Sequence, residues 1–376
     1  MRVELGLRAG VAIPLLFTLV AGIAALLIFN YFTQVNLLKE EEERSIDMAV
    51  NTAQTLLDSA TIHYQQMAAF VARIPEVQEA VNKRDRNRLI EKFLPSFNYL
   101  KQQFGVAQFH FHIPPAVSLL RMHELTIFGD DISKQRKSVV HVGENKKGVR
   151  GIEAGVGGVG LRGVEPIFYR DTYVGSVDLG GGFKEELELI KKAIKADAGV
   201  VINREILTEW PGLKDIKQKI GEWIPISSTL KEPTEFVMEF SLKQASQSGD
   251  KYHKEYITKA GKDFIVIYSP LKDFSGKKIG FLYIVKERVL APSKIITMLA
   301  INIVVYAIML IVMAILIGYG MNKFVINPII ALTKLADDIS MGKTSQKVEI
   351  RDARGEIAIL AKSIERMRVT MKKLLE

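Results

Sequence analysis

The sequence contains no cysteine. This absence excludes disulfide bonds, thiolate zinc sites and covalently attached c-type haem, because each of them needs cysteine side chains. A strong charge bias is also missing, since the formal net charge is +9 over 376 residues. A modest excess spread along a long chain is not the concentrated basic surface of a nucleic-acid-binding protein, so we expect no nucleic-acid partner.

Two long stretches lack charged residues altogether, residues 11–38 and residues 295–322. Each is longer than the roughly 20 apolar residues that a helix needs to cross a bilayer. We therefore predict transmembrane helices over residues 11–35 and 295–321. A cleaved signal peptide is the alternative for the first stretch, but its apolar part would be only about 7–15 residues long.

The charges that flank these stretches predict an orientation. Arg2 and Arg8 precede the first stretch, and Lys323 and Lys334 follow the second, whereas the acidic segment KEEEER follows the first. Positive flanks remain in the cytoplasm. We expect a multi-pass protein of the inner (plasma) membrane, with residues 1–10 and the C-terminus in the cytoplasm and residues 36–294 outside.

An apolar stripe with alternating steps of four and three residues follows the first stretch and indicates a long helix. One interpretation is a parallel homodimer that pairs through this stripe; the alternative is a helix packed on its own domain. The membrane anchor favours the dimer. The stripe comprises Ile46, Val50, Ala53, Leu57, Ala60, Tyr64, Met67 and Val71.

The segment between the apolar stretches predicts an α+β fold of two similar modules, at about residues 75–197 and 198–290. Residues 106–113 alternate between apolar and polar side chains, as a strand with two different faces does. Hairpin patterns with a charged turn occur at residues 164–183 and again about 100 residues later. Such a repeat suggests two tandem modules, connected by a helix at residues 183–197.

Residues 322–376 predict two amphipathic helices with a connector. The second has apolar residues at a heptad spacing and needs a partner chain to bury them. We predict a second seam of the parallel dimer at Ile357, Leu360, Ile364 and Met367.

Polar residues with potential chemistry concentrate in the first module. A metal site is one interpretation, because two histidines alternate on one strand, but H-x-H alone is a weak signal. Catalysis is not supported by any nucleophile motif, so we expect no enzymatic activity, catalytic residue or cofactor. A third interpretation is a polar surface that faces only solvent. We favour a pocket for a small anionic solute, such as a carboxylate, because arginines from separate segments offer forked donors. The predicted ligand-binding residues are His110, His112, Arg121, His123, Asp130, Arg136, Glu153 and Arg162.

The C-terminal segment resembles a HAMP domain, the parallel four-helix linker of bacterial and archaeal receptors. The resemblance rests on P-I-x-x-L at residues 328–332, on Gly342, and on G-E-I-x-x-L-x-x-x-I-x-x-M at residues 355–367. It implies that residues 322–376 form a four-helix bundle in a dimer.

Residues 36–294 resemble a double Cache sensory domain, two PAS-like modules on one long helix. The resemblance rests on the histidine- and arginine-containing segment at residues 112–136, which includes Phe128-Gly129-Asp130-Asp131, and on Gly151-Ile152-Glu153 and Arg162-Gly163-Val164. The aromatic-and-arginine motif of the amino-acid-binding Cache receptors is not found, so an amino-acid ligand is not implied.

These observations predict a transmembrane sensor of the chemoreceptor or sensor-kinase type. A solute would bind the membrane-distal module, and the second membrane helix would relay the signal to the HAMP segment. The alternative is a membrane-tethered metal-dependent binding protein or ectoenzyme in which HAMP only dimerises the chain. No output motif follows the HAMP segment, so we expect a downstream signalling partner or a separate output domain.

Overall fold

The computed structural model describes residues 7–155, 158–207, 218–288, 292–348 and 355–375. It divides into two compact units. One comprises Glu41–Ala291, and the other comprises Met1–Glu40 together with Pro292–Glu376. The two units are considered separately below.

Nine α-helices lie in the described part of the chain. They are α1 (Leu7–Ala72), α2 (Pro75–Asn82), α3 (Arg86–Phe104), α4 (Lys137–Asn145), α5 (Lys184–Ile194), α6 (Glu239–Gln247), α7 (Pro292–Met321), α8 (Asn327–Ser340) and α9 (Gly355–Leu375). A π-helical turn, Asn322–Ile326, joins α7 to α8. The ends of α3 show how the sequence delimits a helix: the Asp85 side chain accepts a hydrogen bond from the Arg88 amide at 3.1 Å, and Gly105 ends the helix at φ 67°.

Ten strands form two five-stranded antiparallel sheets. The first sheet contains β1 (Val106–Ile113), β2 (Val117–Arg121), β3 (Val149–Gly155), β4 (Gly158–Tyr169) and β5 (Thr172–Gly181). The second contains β6 (Asp197–Asn203), β7 (Trp223–Ser228), β8 (His253–Lys259), β9 (Lys262–Lys272) and β10 (Lys278–Glu287). The orders are β2-β1-β5-β4-β3 and β7-β6-β10-β9-β8, so the two sheets have the same topology.

The tandem hairpins predicted from the sequence are confirmed. The first is β4–β5, whose two-residue turn at Arg170-Asp171 has φ values of 46° and 62°. Positive φ at both central residues is typical of the type I′ turn that closes a tight hairpin. The second is β9–β10. The predicted α+β fold class is confirmed with it.

Residues 41–72 of α1 form the spine of the larger unit. The apolar stripe predicted on this helix is buried within the chain: Ile46 is 1% exposed, Val50 5%, Leu57 4% and Tyr64 5%. These side chains belong to one core cluster that includes residues of both sheets. The predicted dimer seam at these four residues is therefore wrong, and the alternative, a helix packed on its own domain, is correct.

The reason for this error is physical. A heptad stripe reports that one helix face is buried, but not whether a second helix or a sheet covers it. Here two sheets cover it, one along each part of the helix. Polar contacts fix the helix to the second sheet: Gln54 donates to Ser269 Oγ at 2.8 Å, and Arg288 forms a two-point ion pair with Glu42.

The two sheets differ on the face that points away from α1. In the second sheet this face is filled mainly by aromatic and aliphatic side chains, among them Trp223, Tyr268, Phe281 and Tyr283. In the first sheet the corresponding face carries histidine, arginine and carboxylate side chains. Among the described residues, this face of the first module holds buried histidine, arginine and carboxylate side chains, whereas the second module buries mainly apolar side chains with a few polar contacts, such as Tyr268 Oη to Glu255 Oε1 at 2.6 Å.

Gly163 lies close to the backbone of the spine helix. A Cβ atom built on Gly163 would lie 2.1 Å from the Gln65 amide nitrogen and 2.4 Å from the Tyr64 carbonyl carbon. The neighbour is helix backbone, which cannot rotate away as a side chain can. Gly163 on β4 is thus required for helix–sheet packing.

Gly163→Ala is expected to lower the midpoint of thermal unfolding of the larger unit by many degrees, because the added methyl group forces α1 and β4 apart. The measurement is circular-dichroism melting of the full chain in lipid nanodiscs. Gly182→Ala is the control, since a Cβ at Gly182 meets nothing within 4 Å. Equal melting of the two variants would contradict this role for Gly163.

The smaller unit contains two helices that are long and apolar enough to cross a membrane, as the two charge-free stretches predicted. Helices α8 and α9 pack on each other through a small apolar core that includes Leu332, Ile339 and Ile364. The predicted seam on α9 is divided. Ile357 and Ile364 pack against α8 of the same chain, whereas Leu360 and Met367 are 47% and 58% exposed. The seam assignment is therefore corrected for Ile357 and Ile364, which α8 already covers.

Candidate functional site

The polar face of the first sheet is built by strand alternation. On β1, Phe109 and Phe111 point to the core, so His110 and His112 point to the other side. On the central strand β5, Asp178 lies directly opposite His110 in the antiparallel register. Arg162 on β4 and Glu153 on β3 complete the row. Four strands thus bring polar side chains to one face, as their period of two requires.

The segment after β2 folds back over this face. The Ser118 amide donates to the Asp130 carbonyl at 3.0 Å, and the Gly129 amide donates to the Ser118 carbonyl at 2.7 Å. Arg121 donates to both carboxylate oxygens of Asp130 at 2.7 Å each. The segment then leads into α4, which packs over β3, β4 and β5. These contacts convert an open sheet face into an enclosed one.

A buried ion network lies beneath this cover. Arg136 Nε donates to Glu153 Oε2 at 2.8 Å, and Arg136 Nη2 forms a short bond with Asp178 Oδ2. Glu153 also accepts from the Ser138 amide at 2.9 Å and from the Ser138 hydroxyl at 2.7 Å. Asp178 is fully buried and Glu153 is 4% exposed. Removing one member of such a network would leave an uncompensated buried charge, which is strongly destabilising.

Charge pairing governs the ionisation of this network. Burial alone would lower the pKa of Arg136, but Asp178 and Glu153 outweigh it and the pKa is raised. Burial would likewise raise the pKa of Asp178, yet the two guanidinium groups of Arg136 and Arg162 hold it below its usual value. Arg136 and Asp178 therefore both stay ionised at neutral pH.

Arg162 is less well compensated than Arg136. Its Nη1 donates to Gln108 Oε1 and lies 3.7 Å from Asp178 Oδ2. Burial, and then repulsion by Arg136, lower its pKa to about 10. Gly180 leaves room for it, because a Cβ there would lie 2.8 Å from Arg162 Cδ. Of the buried arginines in the cluster, Arg162 is the one with donor capacity to spare.

The three histidines of the polar cluster, His110, His112 and His123, are neutral. Burial lowers the pKa of His112 to about 3 and that of His123 to about 4, and it lowers the pKa of His110 well below its usual value. His110 Nε2 hydrogen-bonds the Ser118 hydroxyl at 2.8 Å, and His112 Nδ1 hydrogen-bonds the Ser176 hydroxyl at 3.1 Å. Neutral imidazoles offer a donor or an acceptor according to tautomer.

Four buried polar atoms of this cluster have no hydrogen-bond partner among the described residues. They are His112 Nε2, His123 Nδ1, Arg162 Nε and Asp178 Oδ1. Buried polar groups in folded proteins almost always have partners, so four exceptions in one cluster require an explanation. Together they supply a donor, an acceptor and two groups that can act as either.

The eight predicted ligand-binding residues therefore fall into three groups. His112, His123 and Arg162 lie in the buried cluster and retain unpaired atoms. Arg136, Glu153 and His110 lie in the same cluster with partners, and Arg121 and Asp130 pair with each other at its margin. The prediction that the arginines are free to hold an anion needs correction for Arg121 and Arg136, since carboxylates of the chain already bind both.

Sequence reasoning missed the centre of the cluster. Asp178 was not predicted, nor were Ser118, Ser176 and Gln108 as hydrogen-bond partners. The signal was present for Asp178, because it lies between Val177 and Leu179 on a strand, so alternation places it on the face opposite the apolar core. His123 lies just beyond the end of β2.

A cavity of about 730 Å³ lies elsewhere in the same module, between α1, α3 and α5. Its lining includes Met67, Leu100, Phe104 and Leu189. The volume suits a small ligand. However, none of the predicted ligand-binding residues line this cavity, and we regard the polar cluster as the candidate site because the unpaired buried atoms lie there.

The residues that the structure describes contain no group of three or more histidine or acidic side chains arranged to hold a metal ion. His110 and His112 lie with ring centroids 4.0 Å apart, but serine hydroxyls occupy one nitrogen of each ring. The site as built is a set of hydrogen-bonding groups around a compensated charge network.

Comparison with known proteins places this architecture in a class. The profile of a family described as a double sensory domain of two-component sensor kinases, dCache_3, matches residues 39–289. The chain belongs to this family, and the resemblance to double Cache domains is confirmed. The family is a sensory one.

Solved structures with similar folds include the periplasmic domain of Vibrio cholerae LuxQ, with 13% identity, a TM-score of 0.40, and coverage of 64% of this chain and 98% of that one. The sensory domain of the Campylobacter jejuni chemoreceptor Tlp3 with isoleucine bound has 11% identity, a TM-score of 0.41 and coverage of 68% and 96%. The Vibrio cholerae DctB sensor domain has 12% identity, a TM-score of 0.39 and coverage of 68% and 99%. No curated protein matches the chain. Similarity at this level says nothing about the ligand.

The buried histidines predict an acid-sensitive module. A histidine whose pKa is lower in the folded state contributes stability that is present above about pH 6.5 and is lost as pH falls, because the unfolded chain takes up the proton first. Each such histidine contributes a slope of about 1.4 kcal/mol per pH unit. Stability should therefore fall between pH 6.5 and 5, before the carboxylates titrate.

His112→Asn should make this dependence shallower by the contribution of one histidine. The measurement is the thermal midpoint of the full chain in nanodiscs from pH 7.5 to 5. His141→Asn is the matched control, because His141 is exposed in the same module. The burial argument fails if both variants retain the pH dependence of the original chain.

Proposed function

We propose that the polar cluster binds a small solute outside the cytoplasm and that the chain is the input half of a transmembrane receptor. The observation that carries this proposal is the set of four unpaired buried polar atoms in the distal module. A solute that satisfied them would bind the closed form of the module better than an open form. Differential affinity of this kind is what a sensor needs.

The difference between the two modules supports the choice of the distal one. The corresponding face of the second sheet is filled by Trp223, Tyr268, Phe281 and Tyr283. Large aromatic side chains leave little space for a solute and exclude water. The distal module instead retains charges and hydrogen-bonding groups that only a polar partner would complement.

The solute is proposed to carry an anionic group, such as a carboxylate, that faces Arg162. Arg162 is 5% exposed, has an unpaired Nε and only a 3.7 Å contact to its carboxylate neighbour. His112 and His123 would bond to the rest of the solute. Arg121 and Asp130 would hold the first part of the covering segment closed, because their ion pair joins the end of β2 to residue 130.

A physical route connects the cluster to the membrane. Glu153 of the network lies on the edge strand β3. Two residues earlier, Gly151 contacts the β9–β10 turn so closely that a Cβ would lie 2.8 Å from Phe274 Cβ, and the Phe274 amide donates to the Ile152 carbonyl at 2.9 Å. Strand β10 begins after this turn and precedes α7 in the chain. A shift of β3 would therefore be passed to the strand that leads into the second membrane helix.

The proposed topology follows from the positive flanks: both termini in the cytoplasm and residues 36–294 outside. In this arrangement α8 and α9 form a HAMP-like segment that receives the signal. The exposed apolar side chains of α9 support a homodimer there, because Leu360, Met367 and Leu374 form one uncovered stripe. A downstream partner or output domain would complete the pathway.

A thermal-shift screen of small carboxylates on the full chain in nanodiscs tests the ligand site. A solute that binds only the folded state stabilises it by RT ln(1 + [L]/Kd), so the melting temperature rises with the concentration of free solute. Arg162→Met should weaken binding of the solute so identified by about tenfold or more, since a charge-assisted hydrogen bond contributes about 1.5–3 kcal/mol.

Lys251→Ala, on the surface of the second module, should leave binding unchanged. Wild-type affinity in Arg162→Met, combined with intact folding, would place the solute elsewhere. Loss of binding in Lys251→Ala alone would assign the site to the proximal module.

The dimer is tested by single cysteines in this cysteine-free chain. Leu360→Cys in membranes should form a disulfide between chains, because Leu360 lies in the uncovered stripe of α9. Ile364→Cys should react far more slowly, since Ile364 is 7% exposed and covered by α8 of its own chain. Equal crosslinking of the two positions, or none at Leu360→Cys, would contradict the proposed parallel dimer.

A further inference from the structure

Four polar side chains interrupt the apolar contact between the two membrane helices. Asn30 and Gln34 lie on α1, and Asn302 and Tyr306 lie on α7, all within the charge-free stretches. All four are partly buried in the smaller unit. Polar side chains in a bilayer are costly when they face lipid and usually find a partner inside the helix bundle.

The four side chains form one continuous hydrogen-bonded chain. Asn302 Nδ2 donates to Gln34 Oε1 at 3.4 Å, Gln34 Nε2 donates to Asn30 Oδ1 at 2.6 Å, and Asn30 Nδ2 donates to Tyr306 Oη at 3.2 Å. Two of these bonds cross from one helix to the other. Neighbours off this seam are lipid-facing apolar residues, such as Phe29 at 71% exposed and Ile303 at 55%.

These four hydrogen-bonded side chains, called the ladder below, are spaced so that they set the register between the two helices. Asn30 and Gln34 are four residues apart, as are Asn302 and Tyr306, so each pair lies on one face of its helix. Their pairing, 30 with 306 and 34 with 302, defines an antiparallel register. A slide of one helix along the other by 1–2 Å, the usual size of a signalling shift, would stretch both crossing bonds at once. In hydrocarbon no water replaces a bond lost in this way.

We propose that Asn30, Gln34, Asn302 and Tyr306 form a register lock between the two membrane helices. The lock holds α7 at one position along α1 and opposes small displacements. Its existence does not depend on the ligand site. Its role as the barrier that a sensory signal must overcome rests on the function proposed above.

The test uses disulfide formation within one chain in native membranes. One turn beyond the ladder, Leu27 on α1 and Leu310 on α7 fall on the same seam and are both partly buried. Leu27→Cys with Leu310→Cys should therefore crosslink rapidly and yield a monomer-sized product. The offset pair Leu27→Cys with Ala314→Cys should react slowly.

Replacing the ladder by Asn30→Leu with Asn302→Leu should reduce the preference for the first pair over the offset pair at least about threefold, because apolar side chains fix no register. Tyr306→Phe removes only the terminal hydroxyl and should give a smaller change in the same direction. If the double variant does not accumulate in membranes, the crosslinking preference of Tyr306→Phe alone tests the proposal. Thr33→Val is the matched control, because the Thr33 hydroxyl bonds only to its own helix and is exposed.

Unchanged pair preferences in both ladder variants would overturn the proposal, as would a dimer-sized product from the first pair. Failure of that pair to react in the original background would show that the register is not the one described. If Thr33→Val lowers the preference for the first cysteine pair as much as the ladder variants do, the effect belongs to polar residues in general and the proposal is wrong.

Discussion

The burial of one helix face by two sheets is the constraint on which the sensory unit depends. Residues 41–72 of α1 supply a single apolar stripe, and both five-stranded sheets pack on it to form one core. Neither sheet could bury its inner face without this helix, because a lone sheet exposes one apolar side to water. Gly163 and Gln54 show the two ways in which the contact is fixed, by close backbone approach in the first sheet and by a hydrogen bond in the second. The shared helix also ties together two modules that otherwise repeat the same topology.

With the inner faces committed to the helix, the outer faces are free to differ, and the two modules use them in opposite ways. The proximal module fills its outer face with aromatic side chains, which gives rigidity. The distal module buries Asp178 and Glu153 together with Arg136 and Arg162 on its outer face. These side chains are shielded from water. A buried, balanced network of this kind contributes little net stability.

The sequence predicted the hairpins, the first strand and two long apolar helices, because alternation, turn residues and long apolar runs are local signals. It failed where the partner of a surface decides the outcome. The stripe at Ile46 and Leu57 looked the same whether a second helix or a sheet would cover it. The α9 stripe was divided between α8 and an uncovered side by the orientation of the helix pair. Asp178 was missed although strand alternation places it opposite the apolar core, because its two arginine partners come from other segments of the chain.

The π-helical turn at Asn322–Ile326 has a consequence for how motion travels along the smaller unit. Because α7, this turn and α8 form one continuous helical segment, a displacement of α7 is transmitted directly to α8. A π turn holds one more residue than an α turn, so it changes the azimuth of everything after it by about 100°. The helix thus contains a phase step next to the membrane surface. Conversion of that turn to regular α-helix would rotate the face of α8 that carries Leu332 without moving the axis of α8. A small shift of α7 along its axis would then become a rotation of α8.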